Sequence, residues 1–175
     1  VAMLGDSCLK CGLYQGCKSP YMSGHGSANP DIVFIGEAAG AAEDDQGQPF
    51  VGPSGKFLKE SIQSVGISLD NVRFTNAVRC RPLDNKTPTN TQIKCCAPYL
   101  VDELTAHTPK VVVLLGNTPL KSVLGLNGIS AYQGTGCIER DGIKYVAAYH
   151  PAYVLRQNNS TTQQDWVRSF GDILT

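Results

Sequence analysis

At 175 residues, 42% of them apolar and with no run approaching membrane-spanning length, the chain holds material for one domain with a full-sized core. Its 15 basic and 15 acidic residues cancel, which excludes a protein coated in positive charge; a polyanionic partner would have to be held by placed contacts. Seven cysteines, an odd number without an apolar signal segment, argue against a secreted disulfide framework and for a reducing compartment.

Along the chain, Cys8-x2-Cys11 comes first, and the Gly-, Ser- and Pro-rich stretch Lys18–Pro30 reads as a surface loop. Four short β-branched runs follow, Asp31–Ile35, Val72–Thr75, Val111–Leu115 and Tyr145–Ala148, each ending in a turn-forming stretch, the pattern of buried parallel strands. Between them lie helical patterns: one through Phe57, Leu58, Ile62 and Val65, a longer one with Ile93, Cys96, Leu100 and Leu104 on one face, and a short one from Pro119 to Leu124. Thr87-Pro88-Thr89 starts the long helix and Pro109 closes it. Alternating strands and helices predict an α/β fold: a single domain spanning residues 1–175, built as a three-layer α/β/α sandwich around a four-stranded, mostly parallel sheet.

In such a sheet the ligand site lies at the carboxyl ends of the strands. The segments Gly36-Glu37-Ala38-Ala39-Gly40, Asn76 to Pro82 and His150 to Arg156 each start where a predicted strand ends, so they should converge on one crevice. The remaining strand end, Gly116-Asn117-Thr118-Pro119, either lines that crevice or turns the chain, and the turn is the plainer reading. Gly52-Pro53-Ser54-Gly55-Lys56 is not a phosphate loop, since Phe50 stands where the first Gly belongs and Phe57 replaces Ser or Thr.

Thiolates from the Cys8/Cys11 pair, Cys80 and Cys96 can close one four-sulfur site, for an iron–sulfur cluster or for zinc. A structural zinc module usually brings its second pair close together, whereas Cys80 and Cys96 stand sixteen residues apart, which favours a [4Fe–4S] cluster. Cys95 is the rival ligand; adjacent side chains on a helix diverge by about 100°, so one of the two faces the site.

Taken together, Gly36 to Gly40 with Glu43-Asp44, Gln48-Pro49-Phe50-Val51-Gly52, Asn76 to Pro82, Cys96-Ala97-Pro98-Tyr99-Leu100 and His150 to Arg156, interlocked with the cysteine spacing, resemble the uracil-DNA glycosylase superfamily. Within it, the chain is most similar to the iron–sulfur glycosylases of family four and their phage-type relatives. Ala39 stands where family four usually has Pro, and Cys17-Lys18-Ser19-Pro20-Tyr21-Met22 is closer to the phage branch. The Arg-rich, His-containing insertion of the subgroup that cross-links to DNA is not visible after Gly52, so covalent trapping is not expected.

The resemblance implies a glycosylase that hydrolyses the N-glycosidic bond of uracil in DNA, with the base flipped into a pocket and an abasic site left behind. It selects Cys96 over Cys95, giving Cys8, Cys11, Cys80 and Cys96 as ligands of a structural [4Fe–4S] cluster. Phe50, in what reads as an exposed turn, would stack on the base, Asn76 would read the N3 and O4 edge with its amide, and Gly36 and Ala38 would line the pocket. His150 would stabilise the departing base anion; Glu37, with Glu43 as competitor, would orient the water or stabilise the cationic sugar. Tyr153, Val154 and Leu155 would form a wedge in the minor groove, with Arg156 on a phosphate, or else be a helical turn packed on the sheet. Arg79, Arg81, Lys56 and Lys59 would touch the DNA backbone or be solvated.

The expected partner is uracil-containing single- or double-stranded DNA, met by a monomer without a membrane, in the cytoplasm of a bacterial, archaeal or phage-infected cell. The alternative is a non-catalytic or weakly active DNA-binding, replication-associated module, such as part of a longer phage polymerase. A start at Val1 and an end on a helical pattern are compatible with an origin in something larger. A small redox protein using the cluster would leave Glu37, Asn76 and His150 unexplained.

Overall fold

The structure, a computed structural model, describes residues 10–174, so the expected ligand Cys8 lies outside the described residues. Its centre is a sheet in which β2 (Ile32–Ala38), β3 (Val72–Val78), β4 (Val111–Leu115) and β6 (Ile143–Ala148) run parallel in the order β3-β2-β4-β6. The four expected parallel strands are therefore present, but the sheet among the described residues has six. β1 (His25–Gly26), inside the presumed surface loop, pairs antiparallel with β3, and β5 (Cys137–Arg140) pairs antiparallel with β6. Both are short, largely exposed edge strands without the apolar run that marks the centre of the sheet.

Alternation along the central strands builds the two outer layers. Ile32 and Phe34 of β2 point to one core with Phe74, Val113, Val146, Trp166 and Phe170, beneath α2 (Pro53–Ser64), α6 (Pro151–Gln157) and α7 (Ser160–Leu174). Val33 and Ile35 point to the other, with Leu100, Leu104, Val112, Leu114 and Leu120, beneath α3 (Asn90–His107), α4 (Asn117–Leu124) and α5 (Ile129–Tyr132). Thr89 starts α3 as expected: its hydroxyl accepts from Gln92 N at 3.2 Å, and the Gln92 side chain accepts from Thr89 N at 3.0 Å.

Register places the chemistry. β2 and β3 run three residues beyond the predicted ends, so that Gly36 stands directly opposite Asn76 and Ala38 opposite Val78. At the other side of β2, Leu115 pairs with Ala148, and Gly116 N donates to Ala148 O at 2.8 Å. All four parallel strands consequently end on nearly one level, β2 and β3 reaching two residues beyond β4 and β6.

Candidate active site

A cavity of about 540 Å³ opens at that level, lined by Glu37, Ala38, Ala39, Gly40 and Glu43 on one side and His150, Ala152, Tyr153 and Arg156 on another. Pro82 and Asn85–Thr87 close its rim. A second cavity, of about 580 Å³, lies between α3, α4 and the β5–β6 hairpin; its lining, which includes Leu100, Val101, Leu104 and Tyr145, brings no His, Cys or Glu.

Glu37 is carried near the end of β2, and Thr118 Oγ1, from the first turn of α4, donates to its Oε2 at 2.9 Å. Glu43 is held differently. In α1 (Ala41–Gln46), its Oε1 accepts from Gly40 N at 3.1 Å and its Oε2 from Val51 N at 3.0 Å and Gly52 N at 2.7 Å. Three backbone donors thus engage the Glu43 carboxylate, which ties the Gly40 loop to the turn ahead of α2. The adjacent Asp44 is buried and does the same for the Lys18 segment, accepting from Lys18 N at 3.1 Å and Ser19 N at 2.9 Å.

His150 precedes α6 and caps it: its Nδ1 accepts from Ala152 N at 3.1 Å. An Nδ1 that accepts leaves the ring proton on Nε2. Burial, aided by the Arg156 charge and opposed by Glu43, pushes the imidazole down to about 4, so the ring is neutral at pH 7.

Asn76 is buried at 6% exposure, its Oδ1 and the tip of the Phe50 ring each 2.6 Å from where a Cβ on Gly36 would stand. Gly36 therefore lets an amide and an aromatic edge meet beside Glu37. The expectation of Phe50 in an exposed turn is corrected. Its left-handed backbone (φ 55°) turns the ring inward, where it is 6% exposed and packs on Phe74 at 5.6 Å between centroids. Gly55 of α2 allows this, since a Cβ there would collide with the Phe50 backbone.

Arg79, read as touching DNA or solvated, is 4% exposed. Its Nη2 meets Glu103 Oε1 at 2.5 Å and its Nε donates to Asn76 O at 3.0 Å. Glu103 also accepts from Arg73 Nε at 2.8 Å and Thr75 Oγ1 at 2.7 Å. Burial alone would raise the Glu103 carboxyl, but Arg79, with Thr75 and Arg73, holds it below the usual carboxylate range. Arg81 is half-buried, its Nε donating to Asn85 Oδ1 at 2.7 Å, while Lys56 is solvated. Lys59 lies over the Phe74 ring at 5.3 Å.

The expected wedge divides. Val154 is in the core beneath α6, Leu155 is half-buried, and Tyr153, 39% exposed and 4.8 Å from the Tyr149 ring, and Arg156 face outward. The helical period accounts for this, because consecutive residues cannot all point to one side.

Cys80 and Cys96 are buried and Cys11 is half-buried. Among the described residues no three potential ligands are drawn together closely enough to hold a metal ion. Cys80 nevertheless receives Tyr21 N at 3.3 Å, and burial, with Cys17, Cys96 and Cys11 as neighbours, pushes its thiol up to about 12. A thiolate in that setting needs a compensating cation, which fits a thiolate-held metal group. Cys17, unassigned in the sequence, lies beside this set, its Sγ against Leu13 O at 3.2 Å and Arg81 O at 3.4 Å.

Residues 23–173 match the family model for the uracil DNA glycosylase superfamily. The chain belongs to that superfamily. It is 41% identical to a type-4 uracil-DNA glycosylase of Archaeoglobus fulgidus over 157 residues, 85% of this chain and 78% of the relative. With a type-4 uracil-DNA glycosylase of Pyrobaculum aerophilum it shares 33% identity over 177 residues, 94% of this chain and 89% of the relative. It is also 30% identical over 137 residues to a DNA polymerase of Bacillus phage SP01, covering 78% of this chain and 15% of the polymerase. Among the described residues no helix is long and apolar enough to cross a membrane.

Proposed function

We propose that the chain is a DNA-repair uracil-DNA glycosylase, a monofunctional hydrolase that takes uracil out of the stack, cleaves its N-glycosidic bond and leaves an abasic site. The observation that carries this is the convergence of Glu37 and a neutral His150 on one cavity; the Asn76 amide does not line that cavity but lies against Gly36, the strand neighbour of Glu37. In the reaction the C1′–N1 electron pair goes to the base, a water oxygen bonds C1′, and the water's proton ends on the base. His150 donates from Nε2 to the base O2, where negative charge develops, and is already neutral and aimed before the reaction begins. Glu37 acts on the other side, orienting the water or stabilising the cationic sugar.

Asn76 pairs its amide with the uracil N3 and O4 edge and so disfavours the amino group of cytosine. Phe50 walls the base with its ring edge, and Gly36 and Ala38 let the backbone approach it. Glu43 organises the loops around the site. Tyr153, Leu155 and Arg156 meet the DNA, Arg156 at a phosphate. Cys8, Cys11, Cys80 and Cys96 are the residues that would hold a [4Fe–4S] cluster, which would cross-link the N-terminal segment to β3 and α3 and carries no part of the hydrolysis. The enzyme works as a monomer in the cytoplasm, on single- or double-stranded DNA.

The likeness to part of a phage DNA polymerase supports a second reading, a DNA-binding module of a replication protein. Alkali-labile cleavage of a uracil-containing single-stranded oligonucleotide separates the two. Breakage at the uracil position is expected; a protein that binds the DNA and holds its metal but releases no base is the module instead.

A further inference from the structure

The end of β4, Gly116-Asn117-Thr118-Pro119, for which the sequence offers both a place in the crevice and a plain turn, supplies a further group. Thr118 is 3% exposed, and its hydroxyl donates to Glu37 Oε2 at 2.9 Å. Among the described residues it is the one side chain that donates to Glu37, whereas three backbone amides hold Glu43. Its own position is tightly set: Gly116 begins α4 with φ 99°, Asn117 Oδ1 accepts from Ile129 N at 2.7 Å, and Pro119 follows as a buried residue of the first turn.

We infer that Thr118 is a positioning residue for base excision, fixing the plane of the Glu37 carboxylate so that its other oxygen is directed to the water or the sugar. This rests on the glycosylase reading above. A glutamate at a strand end has rotatable bonds between backbone and carboxylate, and a single buried donor is enough to select one orientation. The Oε2 that accepts from Thr118 is occupied; Oε1 is the oxygen left for chemistry. Displacing a reacting group by even 1 Å costs on the order of 10²-fold in rate, so loss of this donor should be felt in the chemical step rather than in binding.

The test compares wild type, Thr118→Val, Thr118→Ser, Glu37→Gln and the Thr118→Val/Glu37→Gln double variant by single-turnover excision of uracil, DNA binding and thermal melting. Valine keeps the shape and removes the donor; serine keeps the donor. Thr118→Val should excise on the order of 10-fold to 10²-fold more slowly, with unchanged DNA affinity, and Thr118→Ser should recover most of the rate. In the Glu37→Gln background the valine should add little, because both changes disable one unit. Wild type without excision overturns the glycosylase reading and this inference with it. An active wild type with Thr118→Val at full rate, with Thr118→Ser as slow as Thr118→Val, or with a full additional loss in the double variant, overturns only the role of Thr118.

Discussion

Glu43 Oε2 accepts from Gly52 N at 2.7 Å, and the same oxygen accepts from Val51 N. A carboxylate so engaged is an organiser of the turn from Phe50 to α2, and its removal should act differently from removal of Glu37. Glu43→Gln replaces one of two carboxylate acceptors by an amide NH2 donor facing backbone N–H, and hydrogen bonds to a charged group are worth about 1.5–3 kcal/mol. Melting should fall by several degrees and productive binding should weaken, whereas Glu37→Gln should leave melting unchanged and slow single-turnover excision by on the order of 10²-fold. The reverse pattern, a stable but dead Glu43→Gln beside a fully active Glu37→Gln, would exchange the two roles.

The pH dependence follows from His150. With the folded imidazole pushed down to about 4, excision should show no loss of activity through the ordinary histidine range, and a limb from His150 only near pH 4. Stability runs in the matching sense. Below about 6.5 the unfolded chain takes up a proton that the folded chain refuses. The contribution is therefore complete above 6.5, is lost as pH falls toward 4, and stays lost beneath it. His150→Ala should remove this part of the pH-dependence of melting and slow excision by on the order of 10²-fold with little change in DNA affinity. An excision limb near pH 6.5 that disappears in His150→Ala would mean a ring less buried than described.

Base choice is expected to depend on Asn76 and on what holds it. Asn76→Asp should weaken uracil excision and admit some cytosine, since a carboxylate accepts from the cytosine amino group. Arg79 holds the Asn76 carbonyl from beneath, at 3.0 Å, and is itself held by Glu103. Glu103→Ala leaves the buried Arg79 and the half-buried Arg73 without their carboxylate, a change that costs about 3–5 kcal/mol for a buried partner, and should show in melting first. Wild-type rate and selectivity in Asn76→Ala would place base reading elsewhere.

The strong periodicities were legible and the short exceptions were not. Four central strands and the α2, α3 and α4 patterns follow from apolar runs long enough to fill a sheet face or a helix stripe. β5 escaped although Asp141-Gly142, both with positive φ, forms the turn into β6, because Cys137–Arg140 is an exposed edge with no apolar run to announce it. Glu37, Asn76 and His150 could be placed because each lies at or near a strand end. The inward turn of Phe50, the burial of Arg79 on Glu103 and the bond from Thr118 to Glu37 depend on side chains 24 to 81 residues apart or on a left-handed φ, which no local pattern encodes.

On the DNA side, Arg156 is exposed on the last turn of α6 and Tyr153 stands on the cavity wall. Arg156→Ala should weaken binding and reduce its dependence on salt by about one counterion, with a smaller effect on single-turnover excision at saturating protein. Leu155→Ala should matter more for duplex than for single-stranded substrate, since only the duplex must be held open. Equal losses on both substrates would reduce Leu155 to packing.

The thiols offer the last test. Cys96 sits at 4% exposure in a small core with Val78 and Ile93, on the face of α3 that also carries Leu100, whereas Cys137 is exposed on β5. Anaerobically prepared protein should be brown, with broad absorption near ~400 nm and iron in place of zinc. Because Cys96→Ala also empties a packed site, stability alone would not separate ligation from packing. Iron content does: Cys11→Ser, Cys80→Ser and Cys96→Ser should each lose iron and the ~400 nm band, while Cys137→Ser keeps both. Removing the metal from wild type should then lower its melting temperature by releasing the N-terminal segment from β3 and α3, and should do little to the already depleted Cys80→Ser protein. Stoichiometric zinc without iron, or full iron in Cys80→Ser, would exclude a four-thiolate iron–sulfur centre built on these residues.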